Sequence, residues 1–230
     1  MAFSGRSTDP GSDDLTLAWA WGDGTPGIST SYLVNPPNPD PAASPSVQPR
    51  DVTDTKTHTF GSACTYTTGF TATDDDNGKA ADSANVVITG NAKFSQSSTY
   101  WYLQTRSLLR LPIDLPVSTV NCYLQIAQQM STVFSETRDI STMAKAHNVL
   151  LGGLSPKSQL DAQLLAGRLN FANGPFDLNT KVDSDLNGTR DSTFGADIAH
   201  AETIRLDPGS TTGQILHQTL VLQTINLLGW

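Results

Sequence analysis

The chain has 230 residues, of which 37% are hydrophobic and only 16% charged, with a formal net charge of −8 and a pI near 4.7. An acidic surface repels phosphate backbones, which argues against nucleic acid as a partner, and no apolar run approaches the roughly 20 residues of a membrane-spanning helix. The same acidic surface favours divalent cations. Ser, Thr, Asn, Gly and Pro fill the gap, a composition that suits an exported or cell-surface protein; residues 1–6 lack the apolar core of a signal peptide, so an export signal is expected outside these residues.

The first part reads as short strands. Residues 15–21, Leu-Thr-Leu-Ala-Trp-Ala-Trp, alternate large and small side chains, which predicts a strand with one face in a core. Gly22-Asp23-Gly24-Thr25 ends it, because glycine accepts the positive φ of a tight turn. Residues 65–73 are rich in β-branched and aromatic side chains, and Asp74-Asp75-Asp76-Asn77-Gly78 closes them. Residues 84–89 form the last predicted strand, stopped by Gly90-Asn91, so the strand–turn–strand order reads as a hairpin. Between Asn35 and Pro49 stand Pro36, Pro37, Pro39, Pro41, Pro45 and Pro49. Proline has no N–H for a ladder, so this segment is expected as an extended, solvated loop inserted in a small β-sandwich.

After Asn91 the period changes. Val120, Leu124, Ala127, Met130, Val133 and Phe134 fall on one helical face, and Met143, Ala146, Val149 and Leu150 form a shorter helix ended by Gly152-Gly153. Ser155-Pro156 opens the next helix with an N-cap and a proline at the first position. Leu160, Leu164, Ala166 and Leu169 give it a stripe, and Gly174-Pro175 stops it. A fourth helix is predicted over residues 196–206. A fifth starts near Thr211-Thr212 and carries Ile215, Leu216, Leu220, Ile225 and Leu228. The expected fold is multidomain β + α: residues 1–91 as a β-sandwich with the proline-rich insertion 35–49, and residues 92–230 as an all-α domain with an acidic loop at 183–191. The change falls in the polar stretch 91–99. Cys64 and Cys122 fit either a disulfide, which would link the two domains, or two buried thiols; their spacing matches no zinc pattern.

Several motifs stand in a familiar order: Ser7 to Leu15 with its Asp9-Pro10-Gly11 turn, Trp19-Ala20-Trp21-Gly22-Asp23-Gly24, His58-Thr59-Phe60, and Thr71-Ala72-Thr73 followed by the acidic turn. On these residues the first part resembles a polycystic-kidney-disease (PKD) domain. That resemblance implies an immunoglobulin-like sandwich, found on bacterial and archaeal surface proteins as a spacer or a binding module for protein or polysaccharide, and seldom catalytic. Ala20 and Trp21 depart from the family's usual run, and the family's first strand is missing before Phe3, which implies a truncated sandwich with an open edge. Tyr100-Trp101, residues 122–127, residues 169–174 and the acidic loop after them resemble an uncharacterised helical region that follows PKD domains in secreted bacterial proteins. That likeness implies no reaction.

The strongest chemical signal is Asp183-Ser184-Asp185-Leu186-Asn187-Gly188-Thr189-Arg190-Asp191. Calcium takes six to eight hard oxygens at about 2.3–2.6 Å. Oxygen-bearing residues at positions one, three and five of a tight loop can point at one centre, and glycine at position six permits the sharp turn. The carbonyl of position seven and the side chain of position nine add further oxygens. Here those positions are Asp183, Asp185, Asn187, Gly188, Thr189 and Asp191, and a helix follows at once, as in EF-hand-like and dockerin loops. Position twelve departs: Phe194 stands where a bidentate acid is usual, so water, Asp197 or another acid must supply the missing oxygens. The plain alternative is a polar turn loop that binds nothing. A second acidic group, with Asp9, Asp14, Asp74 and Asp76 as candidate ligands, also reads as solvated turn residues, which Asp favours for backbone reasons. His147, His200, Glu202 and His217 are candidate acids and bases for a hydrolase, but no zinc signature, nucleophile elbow or phosphate loop accompanies them. Tyr100, Trp101 and Tyr102 would stack on a sugar if exposed and anchor the domain interface if buried. The leading expectation is an extracellular, non-catalytic, calcium-binding surface or spacer module with protein or polysaccharide partners. The alternative is a secreted hydrolase, or a fragment of one, acting on a polymer.

Overall fold

A computed structural model describes residues 1–11, 13–34, 49–106 and 114–227. Residues 35–48 of the predicted proline-rich loop 35–49, and Leu228, lie outside the described residues. The chain divides into two compact units, Met1–Gly61 with Tyr66–Val86, and Ser62–Thr65 with Val87–Trp230.

In the first unit, β1 (Ala2–Asp9) pairs antiparallel with β4 (Arg50–Thr57), from Ala2 opposite Thr57 to Asp9 opposite Arg50. A second sheet has the order β3 (Ile28–Tyr32), β2 (Leu15–Ala20), β5 (Cys64–Thr73), β6 (Lys79–Ile88). The alternation predicted for β2 is present: Leu15, Leu17 and Trp19 are buried, while Thr16 and Ala18 are half-buried. Leu15 and Leu17 pack with Val52 of β4 and Ala72 of β5, so a core lies between the two sheets. Trp19 stacks on Trp21 at 5.9 Å, and Trp21 stacks on the His58 ring at 4.4 Å. The family's first strand and its approach to the Asp9 turn were expected to be missing before Phe3; β1 runs from Ala2 to that turn.

β4 escapes pattern reading because its inward residues are Val52 and Asp54. Asp54 is buried and accepts hydrogen bonds from Trp19 Nε1 (2.7 Å), Tyr32 Oη (2.7 Å) and Lys56 Nζ (2.6 Å). Burial is the largest influence on this carboxylate and opposes its ionisation. The three donors together outweigh burial and hold its pKa below the usual range.

The second unit contains α1 (Ser98–Gln104), α2 (Val117–Gln129), a π-helical turn (Val133–Thr137), α3 (Met143–Leu150), α4 (Pro156–Asn173), β7 (Lys181–Val182), β8 (Ser192–Thr193), α5 (Phe194–Leu206) and α6 (Thr212–Leu227). α4 is its centre. Leu160, Leu164, Leu165, Ala166, Leu169 and Ala172 are fully buried, and α1, α2, α3, α5 and α6 all contact it. A helix surrounded on every side needs apolar residues beyond one stripe. Its start is the expected cap: Ser155 Oγ accepts from Ser158 N–H at 3.2 Å, with Pro156 next. Its end is Gly174 at φ 96°, packed so closely on Gly90 that a Cβ would collide with the Gly90 carbonyl. Gly90 and Ala92 donate to the carbonyls of Ala172 (2.7 Å) and Asn173 (3.0 Å), satisfying the helix end.

The helical face expected to run unbroken from Val120 to Phe134 is interrupted after Gln129. Buried Ser131 accepts the Phe134 N–H on its Oγ (3.3 Å), and Glu202 Oε2 accepts the Thr132 N–H (3.2 Å), so side chains replace the helical ladder there. α1 was not predicted. It is capped by Ser97 and buries Trp101 completely. Cys64 and Cys122 form a disulfide, and both lie in the second unit, because residues 62–65 belong with the helices and Ala63 packs on their core.

Candidate metal site

The acidic loop connects β7 to β8. Lys181 pairs with Thr193 and Val182 with Ser192, so Asp183 and Asp191 emerge side by side from the end of a two-residue ladder. The ladder is anchored at both ends: Val182 is fully buried, and so is Phe194, packed on Phe176 at 4.4 Å. Position twelve of the loop is therefore a hydrophobic anchor, which accounts for the missing acid there. Phe194 N–H bonds the Thr180 carbonyl and Gly195 N–H the Leu178 carbonyl, both at 2.9 Å. Thr193 Oγ1 caps α5 through the Ala196 N–H (3.2 Å), so the helix starts directly from the strand.

Inside the loop the carboxylates organise the backbone. Asp183 accepts from Asn187 N–H (3.1 Å) and Gly188 N–H (2.7 Å), and Asp191 from the N–H and hydroxyl of Ser184 (3.1 and 2.9 Å). Asn187 donates its side-chain amide to Asp185 (2.9 Å) and accepts Thr189 N–H (2.7 Å). Leu186 and Gly188 take left-handed conformations at φ 64° and 90°, which curl the chain inward. One oxygen from each of Asp183, Asp185 and Asp191 lies within 4.8 Å of the others. Of the five predicted ligands, these three carboxylates converge, while Asn187 and Thr189 brace the loop.

Burial is the largest single influence on Asp183 and opposes its charge, but N–H groups of Gly188, Asn187 and Leu186 hold its pKa below the usual range. Asp191 is held low chiefly by Ser184. Both acids are thus ionised near neutral pH, and closely spaced like charges repel unless a cation joins them. Asp197, in the first turn of α5, behaves oppositely. It is only 5% exposed, and burial pushes its pKa up; Ser192 opposes that rise by hydrogen bonding, and Asp191 adds to it. Its Oδ2 is buried with no hydrogen-bond partner. A donor set made of oxygens, with a buried orphan oxygen in the first turn of the helix that follows the loop, fits a hard cation such as calcium rather than zinc. Asp183, Asp185 and Asp191 would hold the ion, and Asn187 Oδ1 and the Thr189 carbonyl are oxygens in the same loop. Bound there, the ion would supply charge neutralisation and rigidity.

In the first unit, oxygens of Asp9, Asp13 and Asp74 also approach within 4.8 Å of one another. Asp13 takes the place expected for Asp14, which is buried and accepts Val34 N–H at 2.6 Å, and Asp76 is exposed. Asp9 and Asp74 each hold their own turns through Gly11 and Gly78 N–H groups, both at 2.5 Å.

The candidate hydrolase residues have separate surroundings. Glu202 is buried against Arg168 (2.7 Å), His147 stacks on Tyr102 at 4.3 Å, and His200 and His217 are exposed. A groove of about 390 Å³ lined by Tyr102, Leu151, Gln159, Gln163 and Gln223 includes none of the four. Trp101 is interior, and Tyr100 and Tyr102 are half-buried beside it, which leaves no open aromatic platform in this cluster. Among the described residues no helix is long and apolar enough to cross a membrane. Comparison with family models, curated proteins and solved structures gives no match for this chain.

Proposed function

We propose that the chain is a non-catalytic, calcium-binding module of the extracellular space or cell surface. In this reading an immunoglobulin-like sandwich of the PKD kind acts as a spacer or adhesive unit toward protein or polysaccharide, and the ion stiffens the helical unit. The observation that carries it is the meeting of Asp183, Asp185 and Asp191 in a loop with the spacing of EF-hand-like sites. The Cys64–Cys122 disulfide supports an oxidising compartment, and the acidic, hydroxyl-rich composition supports an exported protein.

An ion that binds the native state alone raises stability by about 2.7 kcal/mol at a hundredfold excess over its dissociation constant. For a chain of this size that is a rise of roughly 5–11 °C in the helical melting transition. Thermal melting followed by circular dichroism at 222 nm, with millimolar calcium and then with a chelator, tests the proposal. Calcium raises the transition and the chelator returns it; an identical melt in both conditions overturns it.

A further inference from the structure

The orphan carboxylate of Asp197 suggests more than a surface ion. Its residue is 5% exposed, its Oδ2 has no partner, and it sits one helical turn beyond β8, the strand into which the acidic loop returns. Ser192, next to Asp191, hydrogen-bonds its side chain, and the like charges of Asp191 and Asp183 both act on it, opposed by the exposed His200. A buried acid under the like charge of two more acids is unfavourable unless a cation offsets it. The α5 N-terminus contributes only a partial positive charge.

Resting on the calcium reading above, we infer that Asp197 is the inward ligand of the site. Its free oxygen is not among the carboxylate oxygens that lie within 4.8 Å of one another, so it holds the cation through one ion-bound water, and the ion fastens the β7–β8 loop to the first turn of α5. Phe194 explains the arrangement. The acid usual at position twelve is replaced by a core anchor, and Asp197, later in the first turn of the same helix, supplies the oxygen instead. The ion then belongs to the interior of the helical unit as well as to its surface loop.

This assignment makes two predictions of opposite sign for one substitution. Asp197→Asn keeps the shape and removes the charge. Calcium titration calorimetry on the full chain is expected to show affinity at least about tenfold weaker than wild type, the usual minimum effect of losing a supporting group at a metal site. The ion-free variant is expected to melt about 2–4 °C higher, because a buried repulsion is gone. Asp197→Ser, smaller and uncharged, gives the same loss of affinity should the amide fit poorly. Asp207→Asn, at the other end of α5, removes an equal charge and leaves affinity unchanged. Wild-type affinity in Asp197→Asn overturns the inference and leaves the loop site standing. A wild type that takes up no calcium overturns the calcium reading and this inference with it.

Discussion

Asn170 offers the sharpest test of how the helical unit is held together. Its side chain is fully buried in α4. Oδ1 accepts from Trp101 Nε1 (3.0 Å) and from Gln96 N–H (2.8 Å), while Nδ2 donates to the Gln96 carbonyl (2.8 Å) and to Asn226 Oδ1 (3.1 Å). Asn226 is itself fixed by donating to Gln163. Asn170→Ala leaves the Trp101 N–H without an acceptor in a site that is 0% exposed, at a cost of about 1–3 kcal/mol. Losing the paired bonds to half-buried Gln96, where water can partly substitute, adds about 1 kcal/mol. The sum is roughly 3 kcal/mol, or a fall of about 6–12 °C in the melting of the helical unit. The helices among the described residues all lie in that unit, so circular dichroism at 222 nm under urea or heat isolates the effect. Asn170→Asp retains both acceptor functions but points oxygen at oxygen toward Gln96 and Asn226, so it should destabilise at least as much at neutral pH. A loss below about 1 kcal/mol in Asn170→Ala would refute the view that this network specifies the helical packing.

The disulfide is expected to contribute about 4 kcal/mol, from the loop entropy of a sequence separation of 58. Reductant, or Cys64→Ser with Cys122→Ser, should lower the helical transition by roughly 10 °C; an unchanged melt would contradict this. In the first unit, Asp23 is held down to about 2 from 3.8, first by the Thr25 hydroxyl and next by His58. A carboxylate with a depressed folded pKa stabilises above its unfolded pKa and loses that contribution as pH falls through the folded value. Stability of this unit should therefore decline between about pH 4 and pH 2, read in the near-ultraviolet dichroism of stacked Trp19 and Trp21. Asp23→Asn should flatten that part of the profile.

What could be read from the sequence was what local chemistry decides. The two-residue alternation of β2 follows from one buried face, and the ends of α4 follow from Ser155, Pro156 and Gly174, whose roles are fixed within a turn of chain. The Asp183 to Asp191 spacing likewise depends on residues a few positions apart. What was missed depends on distant partners. β4 carries Asp54 inward, which makes sense only with Trp19, Tyr32 and Lys56 around it. The break after Gln129 needs Glu202, seventy residues along the chain. β7 and β8 are two residues each, too short to leave a period. The resemblance in residues 169–174 gave no physical reason for its asparagine; the structure supplies one, since Asn170 binds Trp101 and Gly174 closes on Gly90. Phe194 read as a defect in the loop, and only its burial against Phe176 shows it to be an anchor.

The most direct check on an ion in residues 183–191 is to weigh it. Native mass spectrometry after equilibration in millimolar calcium should find calcium on the wild-type chain. Its loss should follow Asp183→Asn with Asp185→Asn and should not follow Asp9→Asn with Asp13→Asn. A chain that carries no calcium, or one that keeps all of it after the first pair of changes, would contradict the assignment.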